Sequence, residues 1–313
     1  MCRLIIHRLL MSVPLVFLVS LLTFLLQALA PGDTAHTILG TTYTPEAYAQ
    51  LRRQLGLDEP LVTQYGHWLS GAVRGNLGIS PISGLDVGQQ LTTRLGVTLS
   101  LIICGTVVAT LLGVTLGVVS AVRGGVLGRF VDVLSLAGFA MPVFWFGLIL
   151  VAVFAVTLRV LPATGYVAVG TSLGGWAQSL VLPVATLSLG PAAVIAKQTR
   201  DGMLDVLTSD FVHSLRANGA SERSVVFRHA LRNAAIPVIT VVGLLSVGML
   251  TGTVLVETVF AMPGLGGLAV QATIQHDLPM IQGVAVTFTV IVVLVNLLVD
   301  VTYGWLNPKV RAR

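Results

Sequence analysis

Residues 209–237, SDFVHSLRANGASERSVVFRHALRNAAIP, form a polar, basic island between two long apolar segments. The pattern predicts a docking element rather than an active site. Ser209 or Thr208 stands where a helix N-cap is wanted, Asp210 in the first turn complements the positive helix end, and Gly219 stops the helix after about two turns. Phe211 and Leu215 are four apart on one face while His213 and Arg216 point elsewhere, which offers an apolar knob with a polar rim to a partner's groove. Ser221 then caps a second helix whose apolar side is Val225, Val226 and Phe227. Arg223, Arg228 and Arg232 keep it at a membrane surface before Ile236 and Pro237 open the next apolar run.

Outward from the island the chain is greasy. Of 313 residues, 55% are hydrophobic and 10% charged, with a mean hydropathy of +0.90, against roughly 25% charged in a soluble domain. Such a composition belongs to a polytopic membrane protein. Apolar runs of about 20 residues, enough to cross a bilayer, begin near Leu9, Leu95, Val131, Leu180, Ile236 and Ile281. The expected fold is all-α, with six transmembrane helices and both termini on one side. Ala28-Leu29-Ala30 imitates a signal-peptide cleavage site, but the run 9–26 is longer than a signal core of about 7–15 residues and Pro31 follows it, so it is the first span.

Lys and Arg set the orientation. With the N-terminus inside, Arg3, Arg8, Arg123, Arg129, Lys197, Arg200, Arg216, Arg223, Arg228, Arg232, Lys309, Arg311 and Arg313 are cytoplasmic, 13 of the 18. Arg52, Arg53, Arg74, Arg94 and Arg159 remain outside. The same asymmetry accounts for the net charge of +5 and the pI near 9.7 without nucleic acid, for which no basic patch is interleaved with stacking aromatics. Cys2 and Cys104 are placed for neither a disulfide nor a zinc site.

Between Pro31 and Arg94 lies the one sizeable extracytoplasmic region. Thr44-Pro45-Glu46 starts a helix that Gly56 stops, a second helix follows Pro60, and the Gly-rich residues 71–88 are loops. Such a cap is too small to be an independent enzyme; it is either a platform for an external partner or a lid over the spans. In the second span, 95–122, Gly113 and Gly117 make a small-xxx-small motif that serves packing within the chain or a contact between subunits. Pro142 in the third span, and Pro183 and Pro191 in the fourth, predict kinks that line a pathway or shape the packing. Gly248 and Thr251 lie on a small, weakly polar face of the fifth span suited to a conduit, and Glu257 near its outer end is a gate candidate. Asp300 in the last span, one turn after Asn296, is near enough to water for a structural role.

Missing motifs narrow the mechanism. The only lysines are Lys197 and Lys309, neither in a G-x-x-x-x-G-K-[ST] loop, and there is no H-E-x-x-H. Two classes remain: a pore subunit driven by a separate ATPase, and an ion-coupled secondary transporter. The second calls for paired intramembrane carboxylates or histidines and for inverted repeats, which the sequence lacks.

Leu215-Arg216-Ala217-Asn218-Gly219, followed by His229-Ala230-Leu231-Arg232-Asn233 and Pro237, resembles the cytoplasmic EAA loop of ABC importer permeases in its dipeptide/oligopeptide form. Four further segments are similar to that family in the same order: Leu29-Ala30-Pro31-Gly32-Asp33, Leu55-Gly56-Leu57-Asp58-Glu59-Pro60, Met141-Pro142-Val143-Phe144-Trp145-Phe146-Gly147, and Val256-Glu257-Thr258-Val259-Phe260-Ala261-Met262-Pro263-Gly264-Leu265-Gly266. Leu215-Arg216-Ala217 replaces the usual Glu-Ala-Ala, and Arg232 a usual proline, as in the peptide branch.

The resemblance implies the type I importer permease fold. It divides the chain into a first span (1–30), an extracytoplasmic cap (31–94), a five-helix core (95–306) with its coupling loop (200–235), and a basic cytoplasmic tail (307–313). It also implies that Asp210, Phe211, Leu215, Arg216, Ala217, Gly219 and Glu222 couple to an ATPase. Implied partners are a second homologous permease, two cytoplasmic ATPase subunits that hold ATP and Mg, and an external binding protein delivering peptide across a prokaryotic inner membrane. Relatives in the branch carry nickel or glutathione, so those cargoes stay open. The chain itself is expected to hold no cofactor or metal and to catalyse nothing.

Overall fold

The computed structural model of the chain describes residues 2–306; the basic tail lies outside the described residues. The helices are α1 (Cys2–Leu29), α2 (Thr34–Leu39), α3 (Pro45–Gln54), α4 (Leu61–Val73), α5 (Val87–Arg123), α6 (Gly125–Ala140), α7 (Val143–Leu150), α8 (Leu173–Leu207), α9 (Asp210–Ala217), α10 (Glu222–Ser224), α11 (Leu231–Val259), α12 (Leu265–Gln275) and α13 (Leu278–Leu306), with π-helical stretches at Val151–Thr157 and Val225–Ala230. Among the described residues there is no strand beyond an isolated antiparallel bridge between Ile79 and Asp86.

Five helical stretches are long and apolar enough to cross a membrane: Ile5–Leu29, Val87–Arg123, Leu173–Leu207, Glu222–Val259 and Leu278–Thr302. The sixth expected span, from near Val131, is two pieces. The ring of Pro142 disfavours a helical residue before it, so Met141 is extended at φ −81° and ψ 123°, and the run divides there into α6 and α7. Pro183 and Pro191 lie inside α8, which continues through both.

The described residues form two compact units, one of Cys2–Thr98 with Pro263–Leu294 and the other of Leu99–Met262 with residues 295–306. In the first unit, buried polar groups tie distant helices together. The Ser20 hydroxyl on α1 shares a 2.8 Å hydrogen bond with the Tyr65 hydroxyl on α4, and the Gln282 amide on α13 donates to the Ser20 carbonyl at 3.0 Å. Phe24 packs edge-on against Tyr65 with ring centroids 5.4 Å apart. Apolar surface gains little from burial against apolar lipid, so hydrogen bonds and close packing are what set such pairings.

Caps fix the small helices of this unit. Thr44 accepts from the Ala47 N–H at 3.2 Å to start α3, as its sequence predicts. Asp33 caps α2 through the His36 N–H at 2.8 Å and binds the Tyr48 hydroxyl and Arg52. Burial alone would raise the pKa of Asp33, but these hydrogen bonds and the Arg52 charge outweigh it and hold the carboxyl below its ordinary value. Asp277, 3% exposed, receives the Ser80 hydroxyl and caps α13 through the Met280 N–H at 3.3 Å. Burial pushes this carboxyl above the usual range, against the opposing bonds from Ser80 and Met280. The start of α12 is capped from afar: the Leu265 N–H donates to the Thr98 hydroxyl on α5 at 2.9 Å.

In the second unit α8 is central and packs against α6, α7 and α11. The small-xxx-small motif is consumed inside the chain. A Cβ on Gly113 would stand 2.7 Å from Cβ of Ile195, and one on Gly117 would stand 2.5 Å from Cβ of Thr199, so α5 and α8 touch backbone to backbone there.

Candidate functional site

The polar island projects from the second unit as a short helix on a buried footing. Thr208 and Ser209 do not cap α9 as expected. Their hydroxyls turn back and donate to the last carbonyls of α8, Thr208 to Leu204 at 2.9 Å and Ser209 to Val206 at 2.5 Å. Both carbonyls also accept a backbone N–H, Leu204 from Thr208 and Val206 from Ser209, each at 3.1 Å, so the hydroxyls reinforce the last turn of α8 instead of starting the next helix. Ser209 occupies the N-cap position of α9 without a side-chain bond to that helix, and Asp210 supplies negative charge to the first turn.

The end of α9 follows the sequence reading. Gly219 has φ +81°, its N–H bonds the Arg216 carbonyl at 3.0 Å, and the Ala220 N–H bonds the Leu215 carbonyl at 3.0 Å. This pair is a Schellman closure, which needs a left-handed residue that glycine supplies without strain. Across it, Arg216 binds Glu222 through Nε to Oε1 at 2.7 Å and Nη2 to Oε2 at 3.1 Å. Ser221 accepts from the Ser224 N–H at 3.4 Å and starts the second helix, as expected. That helix begins with one α-turn and then widens into the π stretch, which the sequence pattern did not signal.

The footing is apolar. Val226 and Ala230 of the π stretch pack in one cluster with Val118 and Ala121 of α5, Met203 of α8 and Ala234 of α11. On α9 the buried residue is Val212, at 0% exposure, while Phe211 is 44% exposed and Leu215 is half-buried. Thus Val212, which the sequence reading passed over, anchors α9, and Phe211 is left pointing outward. Asp210, Arg216, Ala217, Gly219 and Glu222 are exposed around it. Of the seven residues expected to couple, Asp210, Phe211, Leu215, Arg216 and Ala217 lie on α9, Gly219 in the turn that closes it, and Glu222 at the start of α10.

The pathway candidates do not form a single constellation. Gly248 and Thr251 lie with Leu244, Leu255 and Thr258 on an exposed stripe of α11. Glu257 is 1% exposed and shares the buried face with Ser246, Leu250 and Thr253. Gly248 and Glu257 are separated by about two and a half turns, which sets them on opposite sides of the helix. Pro142 is exposed at the break before α7. Asp300 is half-buried on α13.

An ion network near the same loop escaped the sequence reading. Lys197 reaches Asp201 at 2.8 Å and Asp132 at 3.3 Å, and Arg200 reaches Asp132 at 3.1 Å and Asp201 at 3.6 Å, linking α6 to the last turns of α8. The i,i+4 spacing of Lys197 and Asp201 was visible in the sequence; Asp132 comes from a different helix. Among the described residues no group of three or more His, Cys, Asp or Glu is placed to hold a metal ion.

The family model for binding-protein-dependent transport system inner membrane components matches residues 113–312, and the model for the N-terminal part of such membrane components matches residues 1–102. The chain is 42% identical over 308 residues to a probable peptide ABC transporter permease protein, y4tP, of Sinorhizobium fredii, covering 98% of each chain. It is 36% identical over 336 residues to the dipeptide transport system permease protein DppB of Escherichia coli K12, covering 99% of each. Among solved structures, a chain of the inward-facing MetNI methionine ABC transporter superposes with a TM-score of 0.57 at 17% identity, over 70% of this chain and 97% of that one.

Proposed function

The chain belongs to the family of binding-protein-dependent transport system inner membrane components, and on that premise we propose that it is the membrane-spanning subunit of an ABC importer for di- and oligopeptides. The observation that carries the reading is the loop at the end of α8: a short helix held from below by buried Val212, closed at Gly219, and presenting exposed Phe211 within a charged rim. Such an element fits a groove on a partner, and an importer subunit without a phosphate-binding loop needs a partner that hydrolyses ATP. Two cytoplasmic ATPase subunits supply it, ATP and Mg staying with them; this chain contributes Asp210, Phe211, Leu215, Arg216, Ala217, Gly219 and Glu222 to the contact.

A second, homologous permease faces the stripe carrying Gly248 and Thr251, and the translocation path runs between the two chains. An external binding protein delivers the peptide. Peptide is the cargo favoured by full-length identity to permeases named for peptides and dipeptides. The excess of Lys and Arg on one side supports a cytoplasmic loop and cytoplasmic termini in a prokaryotic cell.

Two measurements test this. The complex assembled with a partner permease, ATPase and binding protein should take up labelled dipeptides or oligopeptides on ATP addition; uptake of nickel or glutathione instead would reject the peptide assignment. A cysteine placed at Ser83 should react with an impermeant maleimide from outside and one at Ser221 only after permeabilisation, and the reverse pattern would reject the orientation.

A further inference from the structure

Between the Arg123 end of α5 and the start of the helix that follows the loop lies a groove of about 350 Å³. Its floor and walls are apolar: Val118 and Val226 are buried at the base, while Val122 and Phe227 stand more than half exposed at 52% and 58%. Its rim is basic. Arg123 and Arg223 line it and are exposed, and neither has an acidic partner within ion-pair distance among the described residues. The remaining charged residue at the rim, Glu222, is occupied by both hydrogen bonds from Arg216, so the mouth keeps an excess of positive charge.

We propose that this groove holds an anionic phospholipid of the cytoplasmic leaflet, with an acyl chain along Val118, Val122 and Phe227 and the phosphate between Arg123 and Arg223. A free anion would have no use for the apolar floor, and a neutral lipid none for the two guanidinium groups. The depth agrees with this occupant. Helix α5 is long and apolar enough to cross the membrane, and its apolar run, residues 95–122, is about 42 Å long, which matches a bilayer with its headgroup regions and sets Arg123 at headgroup level.

The lipid would touch the segment that supports α9. Val226 belongs to the cluster formed with Val118, Ala121 and Met203, so an acyl chain beside it braces the footing of the projecting helix. The anionic lipid content of the membrane thereby regulates how firmly the loop is presented to its partner. The inference rests on the orientation argued above but not on the cargo.

Photoactivatable phosphatidylglycerol and phosphatidylcholine with identical acyl chains, each incorporated in nanodiscs with the full chain, read the site directly by mass spectrometry. Phosphatidylglycerol should label the peptides containing Val122 and Phe227 at least several-fold more than phosphatidylcholine. Each arginine near an anionic surface is worth roughly a fivefold change in binding, so the double substitution Arg123→Gln, Arg223→Gln should weaken capture at limiting lipid by roughly thirtyfold. Val122→Trp keeps both charges and fills the groove, and it should lower capture independently. Equal labelling by the two lipids, labelling unchanged by both variants, or displacement by millimolar glycerol phosphate would overturn the proposal. So would loss of labelling when the ATPase partner is bound, because the occupant would then be protein. No readout involves transport, so a wrong cargo assignment leaves the outcome unchanged.

Discussion

Arg216 and Glu222 close the loop from opposite sides of Gly219, paired through two parallel hydrogen bonds of 2.7 and 3.1 Å. The contact is exposed and salt-screened, so it adds little to the fold, but it fixes the direction in which α9 leaves the Schellman turn. Arg216→Glu should leave chain insertion and thermal stability nearly unchanged while reducing substrate-stimulated ATP hydrolysis by the assembled complex. The exchanged pair Arg216→Glu with Glu222→Arg should recover much of it. Recovery measured in the double variant separates a role in loop geometry from direct contact of either charge with the partner.

Neighbouring apolar residues on α9 should respond in opposite ways. Val212 is fully buried, so Val212→Asp leaves an uncompensated charge beneath the helix and should cost at least about 3 kcal/mol, seen as poor yield or a lowered melting temperature of the lone chain. Phe211 is 44% exposed, so Phe211→Asp should spare the lone chain and abolish co-purification of the ATPase. If both variants lost the fold, Phe211 would be part of the footing.

Close approach of α5 to α8 gives a third comparison. Gly117→Ala puts its methyl 2.5 Å from Cβ of Thr199 and 2.6 Å from the Ala196 carbonyl, and relieving such overpacking typically costs about 1–3 kcal/mol. Gly248 has no heavy atom within 4 Å of where a Cβ would sit. Gly248→Ala should therefore leave the melting temperature of the isolated chain unchanged while Gly117→Ala lowers it by several degrees, a contrast readable in one thermal series in detergent.

What the sequence reveals here and what it conceals divide by range. Gly219, Ser221 and Thr44 act through residues a few positions away, so helix stops and caps are legible from spacing alone. The π stretch at Val225–Ala230 packs on α5, which is remote in sequence, and α9 in turn packs on that stretch, so the choice of Val212 over Phe211 as anchor is made by tertiary packing. The same is true of Asp132 with Arg200, and of Ser80 with Asp277. The break at Met141 lies between these cases: proline identifies the position, but whether a membrane helix kinks or parts there depends on its neighbours, and α8 continues through two prolines while α6 stops before one. For the pathway candidates, the small residues of α11 were legible but the side each faces was not: Gly248 and Thr251 are exposed while Ser246, Thr253 and Glu257 are buried, because only tertiary packing decides which side of an apolar helix is covered.

Asp277 links pH to the stability of the unit containing α12 and α13. Its folded pKa is raised above the ordinary value of 3.8, chiefly by burial, so the folded state binds a proton more tightly than the unfolded one. Stability must then increase as pH falls through the raised folded value toward 3.8, and it is lost again as pH rises through that window. Asp277→Asn carries no titrating group and should flatten this part of a melting-temperature profile measured from neutral pH to about pH 4. Asp33, whose folded pKa is lowered, acts in the opposite sense, losing its contribution below the ordinary carboxylate range.

In the proposed function, transport energy enters from outside this chain. The sequence holds two lysines, Lys197 and Lys309, and neither lies in a phosphate-binding loop; Lys197 is engaged with Asp132 and Asp201. The purified chain alone should therefore neither bind nor hydrolyse ATP, and reconstituted alone it should not accumulate peptide under a proton or sodium gradient. Asp300, half-buried on α13, sharpens the test. If this carboxylate only anchors its helix, Asp300→Asn should spare uptake by the full complex or impair assembly, whereas a proton-coupling carboxylate would shift the pH dependence of uptake. Gradient-driven accumulation by the lone chain, lost on Asp300→Asn, would replace the ATP-driven importer with an ion-coupled transporter.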